Sequence, residues 1–181
     1  MNGPLLQRLS RRCAVASLAL LAALAGAAPP APAPAAKRPV PFDATVTKVV
    51  DGDSLWLLPV GADAPVEVRV QDIDAPEICQ PGGREARDAM AGLVAQKVLY
   101  VLPRGYDTHG RMLALLTVQG VDVGAWMVVE GHAWSIRTKW DRGPLVKQER
   151  VAQSLRRGLW GVPGAVAPKE FRRTHGPCGP V

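Results

Sequence analysis

Aromatic residues make up only 5% of the 181-residue chain. The tryptophans Trp126, Trp134 and Trp140 therefore read as core and helix-packing residues, not as a platform for stacked bases. Histidine is just as scarce. His109, His132 and His175 lie far apart and beside no cysteine pair, so the spacing of a zinc site is absent. No apolar run reaches the roughly 20 residues of a comfortable membrane span; the uncharged stretch from Ala14 to Ala25 is too short. No internal repeat is present, which excludes a solenoid, and 181 residues suit one domain with a leader and a tail.

Charge of one sign is not abundant either. The formal charge is +6, but Arg8, Arg11 and Arg12 fall in the first segment, and without them 19 basic residues face 16 acidic ones. A surplus that small fits a protein that docks phosphates at a few chosen arginines better than one that coats a polyanion.

Those three arginines precede the apolar run, and small residues follow it at Ala25-Gly26-Ala27. A basic start, a short apolar stretch and an A-x-A-like site read as a signal peptide over residues 1–28, so the chain is expected to be exported, periplasmic or secreted. No stable membrane association is expected after cleavage. Residues 29–41 form a Pro/Ala-rich linker, too dense in proline for helix or sheet. A folded domain is expected over 42–163 and a C-terminal tail over 164–181. Cys13 departs with the leader, which leaves Cys79 and Cys178. In an oxidising compartment these either stay free or form one disulfide that ties the tail to the loop after Glu77.

Periodicity supplies the elements. Residues 44–50 alternate and are rich in β-branched side chains; Asp51-Gly52 follows as a hairpin signal, and Ser54 to Leu58 return as a second strand. Val66, Val68 and Val70 alternate with polar residues in a third strand that runs to about Ile73. Residues 84–94 carry helical spacing. Residues 97–102 and 112–118 read as two further strands. Residues 121–130 and 145–157 read as amphipathic helices closed by Gly131 and Gly158. Five strands and three helices predict an α+β, mainly β domain: an OB-like barrel with helices to one side.

Chemistry-bearing residues gather around the turns. Asp53, Asp74 and Glu77 offer the hard oxygen ligands and the base of a divalent-cation site. Arg69 and Arg111 offer two planar forks that match phosphate oxygens. Carboxylates around a cation beside paired arginines are the parts of a phosphodiester-hydrolysing site. A basic stretch from Lys169 to Arg173 around Phe171 could touch nucleic acid, but it reads as part of a solvated tail.

The strings that carry these residues are Val50-Asp51-Gly52-Asp53-Ser54, Val68-Arg69-Val70 through Asp74-Ala75-Pro76-Glu77, and His109-Gly110-Arg111. Gly131-His132-Ala133-Trp134 and Arg157-Gly158-Leu159-Trp160 follow them. In order and spacing, from about Ala44 to Trp160, the chain resembles the staphylococcal-nuclease (thermonuclease) family. That resemblance implies a five-stranded OB-fold barrel with three helices and a Ca²⁺-dependent endonuclease acting on DNA and RNA, leaving 3′-phosphate ends. It further implies Asp53, Asp74 and the backbone carbonyl of Ala75 as metal ligands, with Asp51 supporting them. Glu77 would be the general base or water-orienter, and Arg69 and Arg111 the phosphate clamp. His109 is a weaker candidate for substrate contact. Ser54 and Ala75 stand where the founding nuclease has threonines, and Asp107-Thr108-His109 lacks its lysine and tyrosine near the nucleotide. The alternative is a non-catalytic OB-type nucleic-acid or protein-binding module of the cell envelope. Such modules can lose the carboxylates and arginines, whereas this chain keeps all five. A monomer is expected.

Overall fold

The computed structural model describes residues 40–138, 140–141, 143–176 and 178. The expected signal peptide and most of the expected linker lie outside the described residues. Strand β1 (Phe42–Val49) pairs antiparallel with β2 (Ser54–Pro59), with Ala44 opposite Pro59 and a bulge between Val46 and Lys48. Strand β2 then pairs antiparallel with β3 (Val66–Val70), and Ser54 faces Arg69 across the ladder. On its other side β1 pairs with β5 (Val98–Tyr106), which pairs with β6 (Met112–Val118). A parallel pairing of β3 with β6, Arg69 opposite Leu113, returns the last strand to the third. The five strands thus close into a barrel without unpaired edges, the solution an alternating sheet needs when one face must be dry.

The barrel interior is filled by alternate residues of each strand: Leu55 and Leu57, Val68 and Val70, Leu99 and Val101, and Ala114, Leu116 and Val118. Helix α1 (Gly83–Val94) adds Ala86, Met90 and Val94, a stripe repeating every fourth residue and therefore on one face. Helix α2 (Val123–Val129) adds Val123, Met127 and Val128, and is capped by the Asp122 side chain, which accepts from the Ala125 N–H at 2.8 Å. Between β3 and α1 the chain turns through Asp72 (φ 70°) into β4 (Ile73–Asp74), and β4 pairs with β8 (Trp134–Ser135). The short strand β7 (Val121–Asp122) pairs antiparallel with the end of β6 before α2. Helix α3 (Val146–Ser154) buries Glu149, which accepts from the Ser135 N–H and pairs with Arg137.

Three expectations change, the first being that Trp140, read as a packing residue, is 86% exposed. The third strand stops at Val70, because Asp72 leaves the extended conformation and the next two residues pair elsewhere. Where three helices were expected, Pro168–His175 within the tail form a fourth, α4. Its sequence is laid out for that, with Pro168 at the first helical position, Glu170 in the first turn and Arg172, Arg173 and His175 in the last. A disulfide between Cys79 and Cys178 fastens its far end to the loop between β4 and α1.

Candidate active site

Asp51, Gly52 and Asp53 connect β1 to β2, and the backbone N–H of Val50 donates across the turn to the Ser54 carbonyl at 2.9 Å. Glycine is needed at position 52 for contact and not for a left-handed turn. A Cβ there would lie 2.7 Å from the Cβ atoms of both Ala75 and Ala86. This close approach presses the turn against the start of the loop after β4. It also lets the Ala75 N–H donate to Asp53 Oδ2 at 2.9 Å. The Asp53 N–H donates in turn to Asp51 Oδ1 at 2.9 Å, so Asp51 braces the turn from behind.

From there one chain of hydrogen bonds crosses the site. Arg111 Nη1 reaches Ser54 Oγ at 3.4 Å, and Ser54 Oγ donates to Asp53 Oδ1 at 2.8 Å. Arg69 places Nη1 on Asp53 Oδ1 and Nη2 on Asp74 Oδ1, both at 2.9 Å. Arg172, from α4, then pairs with Asp74 and with Glu77. Arg69, Arg111, Arg172, Asp51, Asp53, Glu77, His109 and the Ala75 backbone segment line one cavity of about 480 Å³, with Glu67 on its wall. A larger, mostly apolar cavity of about 720 Å³, walled by Pro81, Trp134, Leu159 and Phe171, holds none of these groups.

The electrostatics follow from the burial. Asp53 is 2% exposed. Loss of water, reinforced by the neighbouring Asp51 carboxylate, pushes its carboxyl up to about 7 against the pull of Arg69. Burial alone would weaken the Arg69 charge, but Asp53 and Asp74 outweigh it and hold the guanidinium protonated. Arg111 is oriented by Asp107, whose Oδ2 accepts from Nε at 2.8 Å and whose Oδ1 accepts from the Arg111 N–H at 3.0 Å. Although burial opposes it, the Arg111 contacts hold the Asp107 carboxyl below the usual range.

Donor chemistry decides what the site could hold. Asp53, Asp74 and the Ala75 carbonyl are all oxygen donors, with no thiol or imidazole among them, and that suits a hard divalent cation. A carboxyl raised by burial beside a second acid is one that a cation would stabilise in its charged form. Among the described residues no cluster of three or more acidic, histidine or cysteine ligands forms, so two carboxylates, a carbonyl and water would make up the shell.

The stretch from residue 67 to 162, a little over half the chain, matches the family described as staphylococcal nuclease homologue. The chain belongs to the staphylococcal nuclease family. It is 36% identical over 139 residues to Protein ParB of Escherichia coli, covering 71% of this chain and 77% of that protein. It is 33% identical over 143 residues to the Micrococcal nuclease of Shigella flexneri, covering 73% and 81%. With the Probable staphylococcal-like nuclease CAN4 of Oryza sativa subsp. japonica it shares 35% identity over 107 residues, 59% of this chain but only 22% of the longer rice protein. Family membership makes this a phosphodiester-cutting hydrolase, a nuclease.

Within the family frame, Asp51, Asp53, Arg69, Ala75, Glu77 and Arg111 converge on the one cavity, and Asp74 is tied into it through Arg69. His109 also lines it, with its side chain 77% exposed and its N–H bonded to Asp107. Sequence reasoning missed three participants. Ser54 and Asp107 were legible only as neighbours of the motifs. Arg172 lies 95 residues from Glu77, and the available clue was Cys178, six residues further on, if paired with Cys79.

Proposed function

We propose that the chain is a Ca²⁺-dependent nuclease that hydrolyses DNA and RNA to 3′-phosphate ends. The observation that supports this most directly is the alternation of arginines and carboxylates around the 480 Å³ cavity, which pairs phosphate-binding forks with hard oxygen donors. Bound at Asp53, Asp74 and the Ala75 carbonyl, the cation would offset charge on the phosphate and polarise a phosphoryl oxygen. Arg69 and Arg111 hold the two non-bridging oxygens and stabilise the extra negative charge as the phosphorus becomes five-coordinate. Glu77 takes a proton from the attacking water. The water oxygen bonds to phosphorus, the bond to the 5′ oxygen breaks with its electron pair staying on that oxygen, and the leaving oxygen takes a proton from solvent to become the 5′ hydroxyl. Asp51 acts through the Asp53 backbone by keeping the turn in place.

The mature protein works as an exported monomer in an oxidising compartment, free of the membrane. The leader pattern and the Cys79–Cys178 bridge support the reading of export into an oxidising compartment. The test is cleavage of denatured DNA and of RNA by the mature protein with Ca²⁺ or a chelator. Calcium-dependent cleavage to 3′-phosphate ends, lost in Arg111→Ala, is expected. Absence of cleavage by the folded, oxidised protein would leave a binding module instead.

A further inference from the structure

Three ties converge on the short loop that carries Glu77, and all of them come from the C-terminal tail. Cys79, two residues past Glu77, is bridged to Cys178. Gln80, buried at 5% exposure, accepts from the Glu77 N–H at 3.3 Å and donates from Nε2 to the Val166 carbonyl at 2.6 Å. Arg172, on α4 between those two anchors, sends Nη1 to Glu77 Oε1 at 2.6 Å and to Asp74 Oδ1 at 3.2 Å, and Nη2 to Asp74 Oδ2 at 3.2 Å.

A guanidinium suits this place for a geometric reason. Its coplanar donors span two carboxylates that a proline break holds three residues apart, while an ammonium, a compact point charge, lacks the bidentate fork that grips Asp74. The side chains of Asp74 and Glu77 are 14% and 22% exposed and that of Arg172 is 37% exposed, so the carboxylates are partly shielded while the guanidinium still meets solvent. Charge balance points the same way, since Asp51, Asp53, Glu67 and Glu77 line a cavity whose other guanidinium groups are Arg69 and Arg111, with Asp74 tied in through Arg69. Asp74 Oδ1 accepts from both Arg69 Nη2 and Arg172 Nη1, so the second lone-pair direction of Asp74 Oδ2 is what stays open to a cation, and Glu77 Oε2 stays open to a water.

We propose that Arg172 is a positioning residue of the active site, holding Glu77 and Asp74 in working geometry, and that the Cys79–Cys178 bridge keeps it there. The role rests on the assignment of Glu77 as the group that takes the water proton. The tail is then a part of the catalytic apparatus that the barrel does not supply, and turnover depends on the oxidation state of the bridge.

The experiment uses the full mature, oxidised chain with Ca²⁺ and denatured DNA. Arg172→Ala is expected to lower kcat about 10- to 100-fold, the equivalent of one charge-assisted hydrogen bond, with KM moving less than about threefold. Calorimetric Ca²⁺ affinity without substrate should be unchanged or tighter, because a positive charge has been removed. Arg172→Lys should recover part of kcat. The paired change Cys79→Ser with Cys178→Ser should lower kcat in the same direction, and adding Arg172→Ala to it should change little further. An unchanged kcat in Arg172→Ala, or a loss confined to KM, overturns the proposal. A raised kcat with tighter Ca²⁺ binding also overturns it, and marks Arg172 as a block on the cation site. Should Arg172→Ala fail to fold, Arg172→Gln and Arg172→Lys carry the same comparison. If the unaltered protein cleaves nothing, the proposed function has failed, and the positioning contact is read separately from a double-mutant cycle of Arg172→Ala and Glu77→Gln. Coupling of about threefold or more in the unfolding equilibrium constant sustains the contact; none overturns it.

Discussion

Glu77 and Gln differ by one atom's charge and almost nothing in shape, so replacing one by the other separates chemistry from architecture. Glu77→Gln keeps the volume beside Arg172 and removes the proton acceptor. A fall in kcat of about 10²- to 10⁴-fold is expected, with a thermal midpoint close to that of the unaltered protein. Single-turnover cleavage at the original rate would remove Glu77 from the role of base. Arg69→Lys tests the fork instead of the charge. Arg69 bonds Asp53 with one terminal nitrogen and Asp74 with the other, and an ammonium keeps the charge without that span. The rate should fall at least about tenfold, the scale of one lost charge-assisted bond. Gly52→Ala makes a different kind of change. A methyl group 2.7 Å from Ala75 Cβ must push the turn away from the loop, and so lengthen the Ala75 N–H to Asp53 bond. Activity should drop although no functional group has been altered. These residues were readable in the sequence because the chemistry demands their types at fixed places. The reason for Gly52 was not, since a DG pair signals a turn and conceals what presses against it.

At the scale of elements, the barrel strands were legible because one face of each is buried, which leaves a period of two in the sequence. Helix α1 was legible through Ala86, Met90 and Val94, and Met90→Ala should cost about 2–5 kcal/mol of stability, measured by urea unfolding, because those neighbours cannot close the space. Helix α4 escaped notice because it buries little: eight residues, of which only Pro168 is buried. Its place is fixed by a disulfide, the Gln80 bond and Arg172, contacts that leave no periodicity behind. The bridge closes a loop across a sequence separation of 99 residues, so removing it should lower stability by about 2–5 kcal/mol through the unfolded chain. The end of α2 carries a pH signal of its own. His132 stacks on Trp126 with ring centroids 5.9 Å apart, and burial draws its pKa below the ordinary 6.5 while Glu130 pulls more weakly the other way. A base whose folded pKa is depressed contributes stability that is present above its unfolded pKa and lost as pH falls through the folded value. The urea midpoint should therefore decline below about pH 6.5, and the decline should be shallower in His132→Gln.

For the molecule as a whole, the question is how a nuclease with so small a charge surplus holds a polyanion. Net charge alone gives little attraction, and under the proposed function the contacts would fall to the arginines of one cavity and a cation beside them. Binding through a few sites releases few counterions. For a single strand the slope of log affinity against log salt is about −0.7 per phosphate neutralised, so two or three arginines predict a slope of about −1.4 to −2.1. A protein that lined a long groove with basic residues would show about −4 or steeper. The measurement uses the Glu77→Gln variant, slowed about 10²- to 10⁴-fold so that binding is read before cleavage, with a short single-stranded oligonucleotide and a constant Ca²⁺ concentration across the salt series. A shallow slope that becomes shallower still in Arg111→Ala locates recognition in the cavity. A steep slope, indifferent to Arg111, would move it onto the exposed basic residues of the surface, Lys169 and Arg173 of α4 first among them. It would also mean that the few arginines position the phosphate without providing most of the grip.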